Sequence, residues 1–411
     1  MLAAARRWVH PAGCWPPLLR GGASGARRCL GGRSGHDGAF TGPAFARQPL
    51  SAKTRRALAA MGLERMTDIQ AKTLGPALDG LDVLGRARTG TGKTVAFLVP
   101  ALERTAAKGR GGAKARRQGI DILAISPTRE LAMQISDQGE ALLQFHERRR
   151  AQVMFGGSKK SKDVRALERG APSLLVATPG RLLDHLQTTR LRDGTPFREL
   201  LGRVRVLVLD EADQLLEMGF RKDIEQILSH LPAERQTLLF SATIPKPLEE
   251  IMARSMRRGF VTVNCVESDD HATHSAEQVP QSSLLLPSDE RAISGVIEVV
   301  EAAIHEAATD HKIIAFFPTA QMTAFYAKLF NAAGSRSAFE IHSRKSQAQR
   351  TRCSDQFRAS RSGVMFSSDV SARGVDYPDV THVLQFGLPS SPEQYIHRCV
   401  TQARTKAFAI S

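Results

Sequence analysis

Cysteines and long hydrophobic runs are both scarce in this sequence of 411 residues. No two of the five cysteines have the CxxC spacing of a zinc or redox site, and two of them lie near the N-terminus. This pattern argues against a disulfide framework and fits a reducing compartment. Apolar runs such as 313–317 are too short to span a membrane and instead predict buried strands. We therefore expect no membrane-spanning helix.

Acidic residues are in the minority, because 57 Lys and Arg face 41 Asp and Glu and leave a formal net charge of +16. A charge of that size concerns binding partners rather than fold, and polyanions such as RNA or DNA are the first candidates. A solvated basic surface with a basic leader is the alternative. Hydrophobic residues at 42% are ordinary for a globular protein, and the length predicts two or three domains.

The first 36 residues lack acidic side chains, yet they hold six arginines and both tryptophans of the chain. Leu2, Trp8 and Val9 beside Arg6 and Arg7 predict a short basic amphipathic helix. This composition resembles an organellar transit peptide and lacks the apolar region of a secretory signal. Low serine content favours a mitochondrion over a chloroplast. The alternative is an uncleaved, disordered basic tail that binds nucleic acid, which would fit the nucleus or nucleolus.

From about residue 45 onward, short Val/Ile/Leu-rich runs alternate with stretches of helical spacing such as 129–145. Nearly continuous apolar strands separated by helices predict parallel sheets covered on both faces. We therefore predict an α/β chain with two tandem domains, whose boundaries are a basic leader at 1–40, domains at 45–263 and 284–411, and a polar linker at 264–283. Strands are predicted at 82–87, 120–126, 173–178, 205–210, 236–242, 312–318, 363–369 and 382–387.

The stretch ARTGTGKT at 87–94 follows an apolar strand and precedes a segment of helical spacing. Gly90 and Gly92 allow backbone N–H groups to turn inward and form an anion cradle at a helix N-terminus. We expect Lys93 to reach the outer phosphates of a nucleotide and the Thr94 hydroxyl to bind Mg²⁺. A plain glycine-rich turn is the alternative, which the strand–turn–helix order disfavours. The candidate nucleotide-binding residues here are Ala87, Arg88, Thr89, Gly90, Thr91, Gly92, Lys93 and Thr94.

The stretch VLVLDEAD at 206–213 supplies the second half of a nucleotide site. Asp210 leaves a buried strand and can hold the metal from the side opposite Thr94, and Glu211 can position or polarise the attacking water. On its own, the DEAD tetrapeptide could be an acidic helix N-cap. Its place after four apolar residues and downstream of a phosphate loop favours nucleotide hydrolysis.

Together these motifs resemble those of the DEAD-box ATP-dependent RNA helicases, from about Phe45 to Arg398. That family has two RecA-like domains, and we expect the same fold here. Eight motifs in one order are far more specific than any single motif. They are PTREL (127–131), GG (156–157), TPGR (178–181), DEAD (210–213), SAT (241–243), QAQR (347–350), SDVSARGVD (368–376) and YIHR (395–398).

The stretch GLERMTDIQ at 62–70 resembles the Q motif of this family. The resemblance makes Gln70 a partner for the adenine edge and Phe45 the aromatic that stacks on the ring, which implies a preference for ATP. It also disfavours a DNA helicase of a neighbouring family. Met66 stands where the family usually has proline, a change seen in the branch that resembles mitochondrial intron-splicing helicases.

The resemblance further implies a sequence-independent RNA track. Backbone amides, hydroxyls and guanidinium groups suit contacts with phosphate and ribose, and binding through them weakens as salt rises. Taken singly, Arg181 or Arg350 could equally be a surface charge on a helix. The candidate RNA-binding residues are Arg129, Gly157, Thr178, Arg181, Arg350, Ser368 and Asp369.

The resemblance also implies residues that couple the nucleotide to the RNA. Ser241 and Thr243 would link the two sites, although their hydroxyls could also cap the following helix. Closure of the domains over ATP and RNA would bend one strand, so that a short duplex parts, and hydrolysis would reopen the cleft.

We expect a monomer whose protein partners the sequence does not reveal. The residues from the second domain are Arg373, Gly374, His397 and Arg398, with Asp376 at the nucleotide.

The last family motif, HRxGRxxR, is altered here to HRCVTQAR at 397–404. Arg404 keeps its register as a candidate catalytic residue, but Val400 and Thr401 replace the central Gly-Arg pair, so one arginine finger is absent. Such a finger is worth about 10³–10⁵ in rate in other phosphoryl-transfer enzymes. An ATP-dependent RNA-binding clamp with little hydrolysis is therefore the alternative to an active helicase. Since only seven residues follow Arg404, we also expect a shortened second domain that lacks an edge strand.

Overall fold

The computed structural model contains two parallel β-sheets flanked by helices. None of the helices it describes is long and apolar enough to cross a membrane. The residues that the structure describes are 42–87, 90–107, 119–266, 281–284, 289–307, 310–333, 338–369, 377, 379–389, 394–395, 398 and 406–410.

The first sheet has seven strands in the order β3-β4-β2-β5-β6-β1-β7, and every neighbouring pair is parallel. Its strands are β1 (Val83–Arg86), β2 (Ile122–Ile125), β3 (Ala151–Met154), β4 (Leu174–Ala177), β5 (Val206–Leu209), β6 (Gln236–Ser241) and β7 (Val261–Asn264).

A 3₁₀ turn at Phe45–Arg47 precedes the helices of this first half. The helices are α1 (Ala52–Ala60), α2 (Asp68–Leu78), α3 (Lys93–Ala107), α4 (Arg129–Leu143), α5 (Lys160–Glu168), α6 (Pro179–Thr188), α7 (Phe197–Leu201), α8 (Ala212–Glu217), α9 (Arg221–Ser229) and α10 (Lys246–Ser255).

Apolar cores lie on both faces of the first sheet. Every residue of β2, β4 and β5 is buried, as expected for parallel strands covered on both sides. On one face, the rings of Phe97 and Phe240 pack with 5.4 Å between their centroids. Each large apolar side chain buried in this way stabilises the fold by about 1.5–3 kcal/mol.

The second sheet has six parallel strands in the order β10-β11-β9-β12-β13-β8. Its strands are β8 (Gln281–Leu284), β9 (Lys312–Phe316), β10 (Phe339–Ile341), β11 (Gly363–Ser367), β12 (His382–Phe386) and β13 (Lys406–Ile410). The helices of this half with described bounds are α11 (Asp289–Ala307), α12 (Ala320–Ala333) and α13 (Gln347–Ala359).

The expectation of a missing edge strand is wrong. Residues 406–410 form β13, which lies inside the second sheet and hydrogen-bonds to β12 on one side and β8 on the other. The segment KAFAI that follows the altered motif thus completes the sheet. Strand β8 begins at Gln281, within the segment 264–283 that we predicted as the linker.

All eight predicted strands are confirmed, and the α/β fold with two parallel sheets is confirmed with them. The strands that the pattern missed are short, and most lie at sheet edges, where one side is open and the apolar signal is weaker. In β7 only Val263 is buried. The carboxyl ends of the central strands carry the predicted motifs, which is where ligands bind in open α/β sheets.

Candidate nucleotide and RNA sites

The phosphate loop has the backbone that its glycines predict. Gly90 and Gly92 have φ angles of +77° and +85°, in the left-handed region that favours glycine. A Cβ added at Gly92 would lie 2.4 Å from Nε2 of Gln70, so a larger residue would clash there. Helix α3 begins directly afterwards at Lys93, which places a helix N-terminus at the cradle.

Lys93 and Glu211 form a buried ion pair beneath this loop, with 2.8 Å between Nζ and Oε1. Their side chains are only 6% and 5% exposed. Burial by itself would lower the pKa of Lys93, but the carboxylates of Glu211 and Asp210 outweigh it, so this pKa is raised. Lys93 is therefore a permanent cation, available to phosphate oxygens.

Asp210 is suited to a hard divalent cation. It follows β5, is 2% exposed, and its Oδ1 has no hydrogen-bond partner among the described residues. Burial and the neighbouring Glu211 raise the pKa of Asp210 because they penalise its charged form. Mg²⁺ would relieve that penalty, and it prefers oxygen ligands such as this carboxylate and the Thr94 hydroxyl in the first turn of α3.

No cluster of three or more His, Cys, Asp or Glu positioned to hold a metal occurs in the described part of the chain. Mg²⁺ is commonly bound through one or two carboxylates together with substrate phosphates rather than by an all-protein cage. The donor set here therefore fits Mg²⁺ that arrives with a nucleotide.

Glu211 has a left-handed backbone, with a φ of 47°, and it stands at the N-cap of α8. This conformation costs a residue with a side chain about 1 kcal/mol or more and is typical of functional sites. At this sharp turn between β5 and α8, the Glu211 carboxylate meets Lys93 while its neighbour Asp210 stays at the strand end.

Gln70 holds the phosphate loop from the side of α2. Its Oε1 accepts a hydrogen bond from the Thr67 N–H at 2.9 Å, and its Nε2 donates to the Gly92 carbonyl at 3.0 Å. Gln70, the predicted adenine partner, is 3% exposed, and in this structure both ends of its amide bond to the chain itself. Phe45, the predicted stacking residue, is also 3% exposed and belongs to the core of the first half.

The SAT motif is bonded to the last residue of DEAD. The Ser241 hydroxyl accepts from the Asp213 N–H at 3.1 Å and donates to the Thr243 carbonyl at 2.7 Å. Oδ2 of Asp213 accepts from the N–H and the hydroxyl of Thr243, at 2.9 and 2.8 Å. The Ser241 carbonyl also accepts from the N–H of Ala87, at 3.2 Å. Ala87 and Lys93 are thus linked to the segments 210–213 and 241–243 in one network of hydrogen bonds and an ion pair.

Among the predicted RNA-binding residues of the first half, Arg129 packs against Gly157. A Cβ at Gly157 would lie 2.4 Å from Nη1 of Arg129. Arg181 donates to Asp163 at 2.7 Å and to the Ser158 carbonyl at 2.6 Å, so it fixes the turn after the glycine pair. Thr178 is the N-cap of α6, and its own N–H is bonded to the Met154 carbonyl in β3.

Arg350 of the second half meets this group. Its Nη1 lies 3.1 Å from Oε1 of Glu130, and Gln347 donates to the same Glu130 oxygen at 3.1 Å. Arg129 donates to Gln347 at 3.3 Å. Burial lowers the pKa of Arg129, and the charges of Arg350 and Arg181 lower it further. Three guanidinium groups thus lie near one another, two of them paired with Asp163 and Glu130, and groups of this kind suit phosphate oxygens.

Two further predicted RNA-binding residues lie at the end of β11. The Ser368 N–H donates to the Ile341 carbonyl at 3.1 Å. The Asp369 carboxylate accepts from Nε and Nη2 of Arg398, at 2.8 and 2.6 Å. Arg398 is 1% exposed, and its guanidinium lies 5.5 Å from the centre of the Phe316 ring. Arg398, predicted to couple the sites, therefore fixes the orientation of Asp369.

Several residues of these networks were not predicted, namely Glu130, Gln347, Asp163 and Asp213. Glu130, Gln347 and Asp213 lie inside the motifs PTREL, QAQR and DEAD, so membership of a motif was the signal that could have identified them. Asp163 has no such signal, because only the fold brings α5 and α6 together. The predicted residues outside the described part of the chain are Arg88, Thr89, Arg373, Gly374, Asp376, His397 and Arg404, together with the altered pair Val400 and Thr401.

Both halves of the chain match family models of helicase domains. Residues 67–251 match the DEAD/DEAH box helicase family, and residues 295–406 match the helicase conserved C-terminal domain. The chain is 46% identical over 354 residues to DEAD-box ATP-dependent RNA helicase 26 of Oryza sativa subsp. japonica, which is 86% of this chain and 63% of that protein. It is 44% identical over 366 residues to DEAD-box ATP-dependent RNA helicase 31 of Arabidopsis thaliana, covering 89% and 50%. The chain thus spans between half and two thirds of these relatives.

Solved structures give the same fold. The structure of Mss116p (NTE and C-tail double deletion) bound to ssRNA and AMP-PNP matches with a TM-score of 0.76 and 28% identity, over 88% of this chain and 73% of that chain. S. cerevisiae Dbp5 bound to RNA and ADP BeF3 matches with a TM-score of 0.72 and 22% identity, over 90% and 89%.

Proposed function

This chain belongs to the DEAD-box ATP-dependent RNA helicase family, and we propose that it is an RNA-dependent ATPase that separates short RNA duplexes or remodels RNA–protein complexes. The observation that carries the proposal is the meeting of Arg129 and Glu130 with Gln347 and Arg350. RNA bound there contacts both halves at once, so it favours their closure.

The nucleotide half of the proposal rests on the buried ion pair. ATP phosphates compete with Glu211 for Lys93, and the Gly90–Gly92 backbone cradles them. Once Lys93 is engaged by phosphate, the Glu211 carboxylate is free to orient and polarise a water molecule. Mg²⁺, held by Thr94 and Asp210, neutralises charge on the phosphates when it is bound.

The RNA half rests on contacts that read no bases. The guanidinium groups of Arg129, Arg181 and Arg350 suit phosphate oxygens, and the backbone at Gly157 is open enough for close approach. Binding is therefore independent of sequence and weakens as salt rises.

Asp213 carries the coupling between these two sites. It follows Glu211 by two residues and holds both the N–H and the hydroxyl of Thr243. A change at Glu211 during hydrolysis is thereby passed to the 241–243 segment. The second half completes the machinery through Arg373, Asp376 and Arg404, as the family resemblance implies.

We further infer that the protein acts as a monomer in mitochondria. The support for the location is the composition of residues 1–36, which hold six arginines and no acidic residue. A fluorescent fusion of the full chain should enter mitochondria, and a fusion without residues 1–40 should not. Import into chloroplasts, or accumulation in the nucleolus, would contradict this assignment.

ATP hydrolysis by the full chain with and without RNA tests the function. We expect hydrolysis to rise at least about tenfold with single-stranded RNA and to require Mg²⁺. ATP-dependent RNA binding without stimulated hydrolysis would instead identify the clamp. Separation of DNA duplexes as fast as RNA duplexes would contradict the RNA assignment. Arg350→Gln should weaken RNA binding and RNA stimulation together, whereas the exposed Arg352→Gln in the same helix should do neither.

A further inference from the structure

Helix α5 presents a basic face whose charge is not compensated. Among residues 159–169, the acidic side chains are turned elsewhere, and four of the five exposed residues are cations. We call these five exposed residues the basic stripe. The five exposed residues are Lys159, Ser161, Lys162, Arg165 and Arg169.

The two acids of α5 are engaged by other partners. Asp163 is buried and lies 2.7 Å from Arg181 of α6, and Glu168 lies 3.1 Å from Arg192. In the described structure no ion pair joins an acid to Lys159, Lys162, Arg165 or Arg169. The positive charge of the stripe is therefore available to an external anion.

The orientation of the stripe is fixed by the opposite face of the helix. Asp163 and Leu167 are buried there, and Lys160 is tied to Asp184 of α6 at 2.7 Å. The four cations of the stripe follow each other at intervals of three or four, so they lie along one side of α5. They line an open depression of about 680 Å³. The nine residues of α5 extend about 14 Å, which is enough to follow several phosphates.

The basic stripe continues the predicted RNA track. It begins two residues after Gly157, against which Arg129 packs. Arg181 belongs to that track and also bonds the Ser158 carbonyl and Asp163, at the start and in the first turn of α5. A polyanion on the track is therefore led directly to Lys159 and Lys162.

We propose that the basic stripe binds the phosphate backbone of RNA that extends beyond the track formed by the family motifs. This inference rests on the proposed function. RNA fits better than an acidic protein, because the exposed surface of the stripe holds only cations and Ser161. A protein interface would add the apolar or aromatic core that such contacts bury.

The test compares two variants of the full chain with equal loss of charge. The stripe variant carries Lys159→Gln, Lys162→Gln, Arg165→Gln and Arg169→Gln. The control carries Arg55→Gln, Arg198→Gln, Lys246→Gln and Arg258→Gln, all at exposed positions of the same half. Binding is measured with single strands of about 10 and about 30 nucleotides over a range of salt concentrations, and ATP hydrolysis is measured in parallel.

We expect the stripe variant to bind the long strand about tenfold or more weakly than the control, and its slope of log K against log salt to fall by about 2–3. Binding of the short strand and stimulation by it should match the control. Equal binding of the long strand by both variants would overturn the proposal, and so would competition by polyglutamate as effective as that by RNA. If wild type binds long RNA through the stripe but hydrolyses no ATP, the proposed function fails and this inference stands.

Discussion

Lys93 and Glu211 lie 2.8 Å apart, as a buried pair that joins the phosphate loop to the DEAD motif. Each partner compensates the charge of the other, because neither has enough exposed surface to be solvated by water. A bound nucleotide must therefore replace Glu211 at Lys93, and this exchange releases the carboxylate only when phosphates are present. In the proposed reaction, Glu211 can therefore act on water only once phosphates have taken its place at Lys93.

Replacing Glu211 by Gln should slow catalysis strongly and leave ATP binding intact. The amide oxygen can still accept from Lys93, but it cannot polarise water as a carboxylate does. We expect kcat for RNA-stimulated hydrolysis to fall by about 10²–10⁴, with little change in ATP affinity. Glu217→Gln, at the other end of α8, is the matched control. Activity of Glu211→Gln within about threefold of this control would contradict the assignment.

Replacing Gln70 by Glu keeps one of its two hydrogen bonds and removes the other. The carboxylate can still accept from the Thr67 N–H, but it cannot donate to the Gly92 carbonyl. We expect the KM for ATP to rise about tenfold while kcat at saturation changes little, since the phosphate loop loses its hydrogen bond to residue 70. Steady-state kinetics should show no such change for Gln144→Glu, an exposed glutamine at the end of α4. An unchanged KM would show that the Gly92 contact does not shape the loop.

Replacing Thr243 by Val removes one of the two bonds to Asp213 and keeps the side-chain shape. A hydrogen bond to a charged group is worth about 1.5–3 kcal/mol, so coupling should weaken by about tenfold or more. We expect slower duplex separation at nearly unchanged RNA-stimulated hydrolysis. Thr262→Val, an exposed position in β7, should leave both rates alone. Equal losses in the two rates would assign Thr243 to catalysis instead.

Restoring the family motif with Val400→Gly and Thr401→Arg should accelerate hydrolysis. An arginine finger stabilises charge in the transition state, and fingers of other classes contribute about 10³–10⁵ in rate. We expect RNA-stimulated kcat to rise at least about tenfold. The single change Val400→Gly supplies no guanidinium and serves as control. A double variant no faster than this control would show that another group already replaces the finger.

His146 should make the folding stability of the first half depend on pH in the acid range. It is 6% exposed, and its Nε2 lies 3.1 Å from the Thr54 hydroxyl, which also bonds Glu103. Burial lowers the pKa of His146, as do the nearby charges of Arg149 and Lys53, while Glu103 opposes them. Because the unfolded chain then binds the proton more readily, this contribution to stability is present above about pH 6.5 and is lost as the pH falls below it.

We expect the Tm of wild type to drop between pH 7.5 and 5.5 by about 2–4 °C more than that of His146→Gln. Differential scanning calorimetry without nucleotide measures this difference. His230→Gln, at an exposed position, should behave as wild type. Parallel pH profiles for wild type and His146→Gln would show that His146 does not titrate in this range.

The sequence predicted the fold and the position of each motif because both depend on local patterns. Buried strands such as β5 are uniformly apolar, and the phosphate loop needs glycine at fixed places. Contacts between motifs were harder to predict, since they depend on how the sheet aligns its strands. The bonds from Asp213 to Thr243 and from Gln70 to Gly92 are of this kind.

Two features of the structure depend on contacts that the sequence patterns do not show. Gln70 has the donor and acceptor that an adenine edge needs, but in the structure both serve the chain itself. We expected an edge strand to be missing because only seven residues follow Arg404, yet residues 406–410 form β13. Strand β13 lies between β8 and β12 and pairs in parallel with both of them.

The placement of β13 also sets an order for folding during synthesis. Among the described strands, β8 pairs with β13 alone, and β13 is made well over a hundred residues later. At about 5–20 residues per second, β8 leaves the ribosome about 6–25 s before its partner exists. Until then β12 is an open edge, which is a template for aggregation. Translation that stops before residue 406 would leave β8 without a partner and β12 paired with β9 alone, so newly made chains should depend on chaperones until β13 is in place.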